Sequence, residues 1–229
     1  MLQYLLIALA ILCTQQACSM AENINNLTQE VYGEDNPMNY NQMLNLVSGH
    51  YSKSPEEVEN LMNRISFHET GPSQRYEPGA KQVIAGGGEG VGRGLFQFEQ
   101  RYRNPDTQEL EQAGGLTARN RLAKLFEDTH GGYVPDWLNQ EGMSDQSIGF
   151  DASQLTADQQ KMLFLGNIRM GGGRTLEGME NIPEWWTQHH HIGGGRTGEF
   201  EDSMDMYESP EEFEMKNAVT NPVHQQIFQ

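Results

Sequence analysis

A mainly α fold (α+β overall), carrying a small glycine-rich hairpin or flap, is predicted from three observations. Val58, Leu61, Met62 and Ile65 recur at helical spacing. Ser54 with Glu57, and Thr156 with Gln159, have the spacing of capping boxes that open helices. Between Gly71 and Gly94 the chain is rich in glycine, and Gln82-Val83-Ile84 is the one strand-like piece.

Taken in chain order, residues 1–19 read as a signal-like or anchor segment. Leu2 to Leu12 are nearly all apolar, a run with the length of a signal-peptide core rather than of a membrane span. No Lys or Arg precedes Lys53, so the usual basic start is missing, and the alternative start is Met20-Ala21-Glu22. Both cysteines, Cys13 and Cys18, fall here. Removal of this segment would leave a chain without disulfides, thiolate chemistry or cysteine-ligated metal. Residues 20–37 are polar and read as a flexible leader.

A first helix is expected from Tyr40 to Val47. The second begins at Ser54, with Pro55 at a position where its missing N–H is harmless. Four residues beyond Ile65 its apolar stripe reaches Glu69, and Gly71-Pro72 ends the helix. Leu95-Phe96-Gln97-Phe98 starts another ordered element. Helix resumes at Thr117 with Leu122, Leu125 and Phe126 on one face. Tyr133 to Phe150 reads as loop, anchored by Trp137. The helix opened by Thr156 carries Met162-Leu163-Phe164-Leu165, a run that implies burial on most sides, and ends at Gly171-Gly172-Gly173. Asn181 caps a helix holding Trp185 and Trp186. Ser209-Pro210-Glu211-Glu212 repeats the helix-start chemistry of Ser54-Pro55-Glu56-Glu57. The expected domain is 38–198, with 199–229 as an acidic tail.

The formal net charge of −17 opposes binding to nucleic acid and to anionic surfaces. Eight acidic residues and no basic one lie between Glu199 and Glu214. Such a run is expected to be solvated and to stand away from a functional groove.

Glu69 is the leading candidate for chemistry. A carboxyl on a buried stripe is the kind of group whose pKa rises, which suits a general acid. The alternative is a solvated helix-end carboxylate paired with Arg64 or Arg75. His189-His190-His191 does not present two ligands on one helical face, so no metal and no cofactor are expected. Gly86-Gly87-Gly88-Glu89-Gly90 lacks the Lys-Ser/Thr that would follow in a phosphate loop. Trp185 and Trp186 fit sugar stacking or core packing.

Glu69-Thr70, followed 25 residues after Glu69 by Gly94-Leu95-Phe96-Gln97, resembles the soluble lytic transglycosylases and their goose-type lysozyme relatives. The resemblance spans about residues 54 to 198. It implies a lysozyme-like helical domain, Glu69 as general acid/base, and a substrate-binding set of Thr70, Gly94, Leu95, Phe96, Gln97 and His190. Thr70 stands where the family usually has Ser, and no Tyr-Asn pair occurs near His190. The implied activity is cleavage of the MurNAc-GlcNAc bond of peptidoglycan by a lytic transglycosylase, with Glu69 as its single acid/base. A muramidase is the runner-up and would need a second carboxylate, for which Glu77 and Glu89 are the candidates. A non-catalytic structural virion protein on the same scaffold is the non-enzymatic alternative. The implied partners are glycan strands and other virion proteins, not nucleic acid. A membrane enters only if residues 1–19 are retained. The implied location is a phage virion or the bacterial periplasm and cell envelope.

Overall fold

The computed structural model describes residues 38–84, 86–100, 102–103, 107, 109–111, 114–129, 132–138, 150–171, 175–190 and 197–220. The expectations for residues 1–19 and 20–37 lie outside them. Among the described residues the chain is mainly α. Helices α1 (Tyr40–His50) and α2 (Pro55–Thr70) precede five short strands, β1 (Lys81–Val83), β2 (Glu89–Arg93), β3 (Phe98–Glu99), β4 (Tyr102–Arg103) and β5 (Leu110–Glu111). Helices α3 (Gly114–Thr129), α4 (Ala157–Met170), α5 (Ile182–Trp185), α6 (Thr197–Met204) and α7 (Pro210–Thr220) follow. No helix among the described residues is long and apolar enough to cross a membrane.

Local chemistry explains the helix boundaries. Asn39, Ser54 and Thr156 each close a reciprocal capping box with the Gln or Glu three residues on, satisfying backbone donors that a helix leaves open. Ser209 and Glu212 exchange the same pair of bonds at the start of α7. Glu56 and Glu57 occupy the first turn of α2, where the helix dipole favours negative charge. The first helix runs one turn past its expected end, to His50.

The core is built on α4. Met162, Leu163, Phe164, Leu165 and Ile168 are all buried, as the unbroken apolar run predicts. This helix packs on α3 and on α1, and α1 packs in turn on α2. Its closest approach to α3 is at Gly166. A Cβ there would sit 2.7 Å from Leu122 Cδ1 and 3.0 Å from Leu122 Cα, so the two backbones meet where only hydrogen fits. Val58, Leu61, Met62 and Ile65 of α2 are completely buried in the same core.

The glycine-rich stretch forms the expected hairpin. Strands β1 and β2 pair antiparallel, with Lys81 opposite Arg93 and Val83 opposite Glu89, and β3 adds to the far edge of β2. Val83 and Ile84 stay exposed near its turn. Strands β4 and β5 form a separate two-stranded sheet. Trp137 is half-buried in a short 3-10 turn, Asp136–Leu138, where the neighbouring Leu138 is the deeply buried anchor.

The acidic segment corrects the sequence reading. It does not stand off as a tail from residue 199. Phe200 of α6 is completely buried, and α6 packs on α2 and α5. Tyr207 meets the edge of the Phe67 ring with centroids 5.3 Å apart, and the Arg64 guanidinium lies 4.4 Å from the Tyr207 ring centre. Tyr76 donates its hydroxyl to the Glu208 carbonyl and packs on Phe213. The carboxylates Glu199, Glu201 and Asp202 point to solvent while Phe200 points inward. Charge count alone missed the aromatic residues spaced through the run, which anchor it. Residues 221–229 lie outside the described part.

Candidate active site

Helix α2 carries Glu69 at its penultimate position, one turn beyond the buried Ile65. The carboxyl is set deep but not sealed, because the residue keeps partial contact with solvent. Its Oε1 accepts a hydrogen bond of 2.7 Å from Nε1 of Trp186. Burial pushes the Glu69 carboxyl up to about 7, and the indole bond, which favours the ionised form, opposes part of that rise. Arg64 and Arg75, the cations that could have made Glu69 a surface ion pair, are engaged elsewhere. Arg64 lies over Tyr207, while Arg75 lies 4.0 Å from the centre of the Phe67 ring and 3.9 Å from a Glu208 oxygen.

Trp186 is held from behind. It begins a π-helical turn, Trp186–His190, directly after α5, a wide form of helix that recurs at functional positions. Its ring meets His68 edge-on at 4.7 Å and lies 5.3 Å from Phe200. His68 and Phe200 are themselves 4.7 Å apart, and His68 Nδ1 is 2.9 Å from the Ser203 hydroxyl. Three rings from three elements therefore pack together around the indole that bonds Glu69. Trp185, also buried, donates its indole hydrogen to the Thr175 carbonyl.

The Gly94-Leu95-Phe96-Gln97 motif forms the turn between β2 and β3. Gly94 adopts φ 76°, and a Cβ there would lie 2.2 Å from Oε1 of Gln160. The absent side chain lets Gln160, completely buried on α4, reach the turn. Its Oε1 accepts from Leu95 N–H at 2.6 Å, and its amide donates to the carbonyls of Pro78 (2.8 Å) and Leu155 (3.0 Å). One side chain thus ties three segments together. Gln97 is different in kind. It holds φ 45°, a strained backbone conformation for a side-chain-bearing residue. Its amide donates to the Gly94 carbonyl at 2.8 Å. Its Oε1 lies over Gly92, buried and without a hydrogen-bond partner among the described residues.

These contacts divide the expected substrate-binding set. Thr70 braces the end of α2. It is buried, donates to the Ser66 carbonyl at 2.7 Å and accepts from Tyr76 N–H at 3.3 Å, fixing the exit from α2. The side chains of Leu95 and Phe96 lie in the core. They are 3% and 1% exposed, and Phe96 stacks on Phe164 with centroids 4.5 Å apart. Gly94 is buried as backbone. Gln97 alone of the motif combines a strained backbone with a buried acceptor that has no hydrogen-bond partner among the described residues. His190 ends the π-helical turn, and its side chain lies outside the described residues.

The two candidate second carboxylates are both exposed. Glu77 lies in the turns between α2 and β1. Glu89 sits on β2 with an oxygen 3.1 Å from Lys81 Nζ, and its other oxygen is 3.7 Å from Arg93. His189 is half-buried, 5.4 Å from Trp185. Among the described residues no group of three or more His, Cys, Asp or Glu is placed to hold a metal ion.

Sequence reasoning singled out Glu69 as a carboxyl on a buried stripe but not the groups that pack around it. Nothing local marks Trp186 as the partner of a carboxylate 117 positions away. Gln160 had a usable signal, because it is a polar residue one turn before Phe164 on an apolar stripe, the same anomaly that singled out Glu69.

No family model, no curated protein and no solved structure matches this chain. The fold and site define a mainly helical protein with a small sheet and a buried, indole-bonded carboxyl.

Proposed function

We propose that this chain is a peptidoglycan-cleaving lytic transglycosylase in which Glu69 is the single general acid/base. The observation that carries this reading is the Glu69 carboxyl itself. Burial holds it up to about 7, so an appreciable fraction is protonated at neutral pH, and it keeps contact with solvent. The indole hydrogen bond to Oε1 fixes the orientation of the carboxyl.

In the proposed reaction Glu69 protonates the oxygen linking MurNAc to GlcNAc as the bond from muramoyl C1 breaks. The muramoyl C6 hydroxyl then bonds to C1 and returns its proton to the Glu69 carboxylate. The products are a GlcNAc 4-hydroxyl and a 1,6-anhydro-muramoyl end, without water. This route needs one carboxyl that alternates between acid and base near neutrality. Glu89 is exposed and ion-paired and Glu77 is exposed, which favours this route over a muramidase relying on either as a second carboxylate. Gln97 supplies an acceptor for a sugar hydroxyl or acetamido N–H. Glycan strands of an envelope or sacculus are the proposed substrate, and delivery in a phage virion or residence in the periplasm are the proposed settings.

The test is clearance of purified peptidoglycan by the wild-type chain and by Glu69→Gln. Loss of clearance in a folded Glu69→Gln protein supports the assignment, and clearance undiminished in that variant removes it.

A further inference from the structure

We infer that the acidic C-terminal segment, through Phe200 and Ser203 of α6, is a positioning strap that holds Trp186 and His68 in register behind Glu69. This inference rests on the acid/base reading of Glu69 and assigns the segment a part in the same site.

Helix α6 has an outer face of carboxylates and one fully buried ring, Phe200. Two of the rings it packs against are Trp186 and His68. Trp186 gives Glu69 its hydrogen bond, and His68 is its neighbour along α2. Ser203, one turn along α6, fixes His68 from the other side at Nδ1 while donating to the Phe200 carbonyl. Beyond α6 the strap is fastened to the outer side of α2 and its following turn by Tyr207 on Phe67 and by Tyr76 on Glu208. A stability-only anchor would pack anywhere on the core. This one closes on the indole whose N–H sets the direction of the carboxyl. An indole bond of 2.7 Å tolerates little rotation of the ring, and Phe200 lies against that ring. Among the described residues the Trp186 N–H meets the Glu69 carboxyl, and the His68 imidazole packs on the same indole. The carboxylates of α6, Glu199, Glu201 and Asp202, are exposed on its outer face.

The experiment uses the full chain labelled with nitrogen-15. The Trp186 indole resonance is assigned by its loss in Trp186→Phe and followed through a pH titration. In the wild type it reports an ionisation that is absent in Glu69→Gln. In Phe200→Leu, which keeps an apolar side chain but removes the ring, the midpoint rises by about half a pH unit as the indole bond that favours the carboxylate loosens. Peptidoglycan cleavage by this variant then loses kcat roughly tenfold with KM unchanged, because geometry rather than binding is disturbed. Ser203→Ala, which leaves the core intact, shifts both readouts the same way by less. A folded Phe200→Leu with the wild-type midpoint and kcat overturns the strap. Should Phe200→Leu fail to fold, an unchanged midpoint and kcat in Ser203→Ala overturns it. A shifted midpoint in a protein whose wild type cleaves no peptidoglycan keeps the strap and removes the substrate, so the two failures are distinct.

Discussion

Trp186 donates its indole hydrogen to Oε1 of Glu69 at 2.7 Å, joining the end of α2 to a π-helical turn 117 residues later. Burial of this pair pushes the carboxyl up to about 7, and two predictions about pH follow from it.

The first concerns stability. Below its ordinary pKa of 4.5 the carboxyl is protonated in both folded and unfolded chains and its burial is tolerated. As pH rises the unfolded chain ionises first, so stability falls between 4.5 and about 7 and then levels off. The displacement corresponds to ~3 kcal/mol. Glu69→Gln keeps the acceptor for Trp186 and lacks the ionisation. Its stability relative to wild type is expected to rise by ~3 kcal/mol between acid and mildly alkaline conditions. Urea unfolding of both proteins across that range checks this, and parallel pH curves would refute it.

The second concerns the indole itself. Its N–H favours the ionised carboxylate, so Trp186→Phe should raise the Glu69 pKa further. The alkaline limb of the pH profile of kcat/KM, where the acid loses its proton, is expected to move upward by about one pH unit. The maximum should fall roughly tenfold, because the carboxyl is less well oriented. A limb that stays in place or moves downward would show that the bond is not what the titration feels.

Thr70 divides hydroxyl chemistry from size. Its Oγ1 bridges the Ser66 carbonyl and the Tyr76 N–H. Thr70→Ser retains both bonds and should stay within about 1 kcal/mol of wild type with activity kept, whereas Thr70→Val should lose about 2 kcal/mol by leaving buried groups unpaired. Thermal unfolding of the two variants distinguishes this from a direct substrate contact, for which activity would fall without a change in stability.

Gln160 and Gly166 test the packing that carries the site. Gln160→Met leaves the Leu95 N–H and two carbonyls without their partner and is expected to cost about 3 kcal/mol. Gly166→Ala drives a methyl to within 3.0 Å of the Leu122 backbone and should cost about 1–3 kcal/mol by overpacking. Denaturant midpoints measure both. A tolerated Gly166→Ala would mean that α3 and α4 can separate without loss.

Much of this fold was legible because helix starts are local. The boxes at Ser54 and Thr156, the apolar stripes of α2 and α4, and the glycine-rich hairpin each depend on residues a few positions apart. Glu69 was legible for the same reason, as a carboxylate on a stripe that should be apolar. What closes around it was not. Trp186, Phe200 and Ser203 reach Glu69 and His68 by contacts across more than a hundred residues, which leave no periodicity to read. The acidic run was misjudged because its charge is conspicuous while the aromatic residues that pin it are few. Leu95 and Phe96 stand in a motif whose backbone forms a turn, so resemblance alone could not show that their side chains pack in the core.

The most direct test of the central claim is mass spectrometry of sacculi digested by the wild-type chain and by Glu69→Gln. The proposal predicts 1,6-anhydro-muramoyl ends from the wild type and no new ends from the variant. Reducing muramoyl ends would contradict the single-carboxyl route, and the absence of any new ends from folded wild-type protein would contradict the enzyme assignment itself.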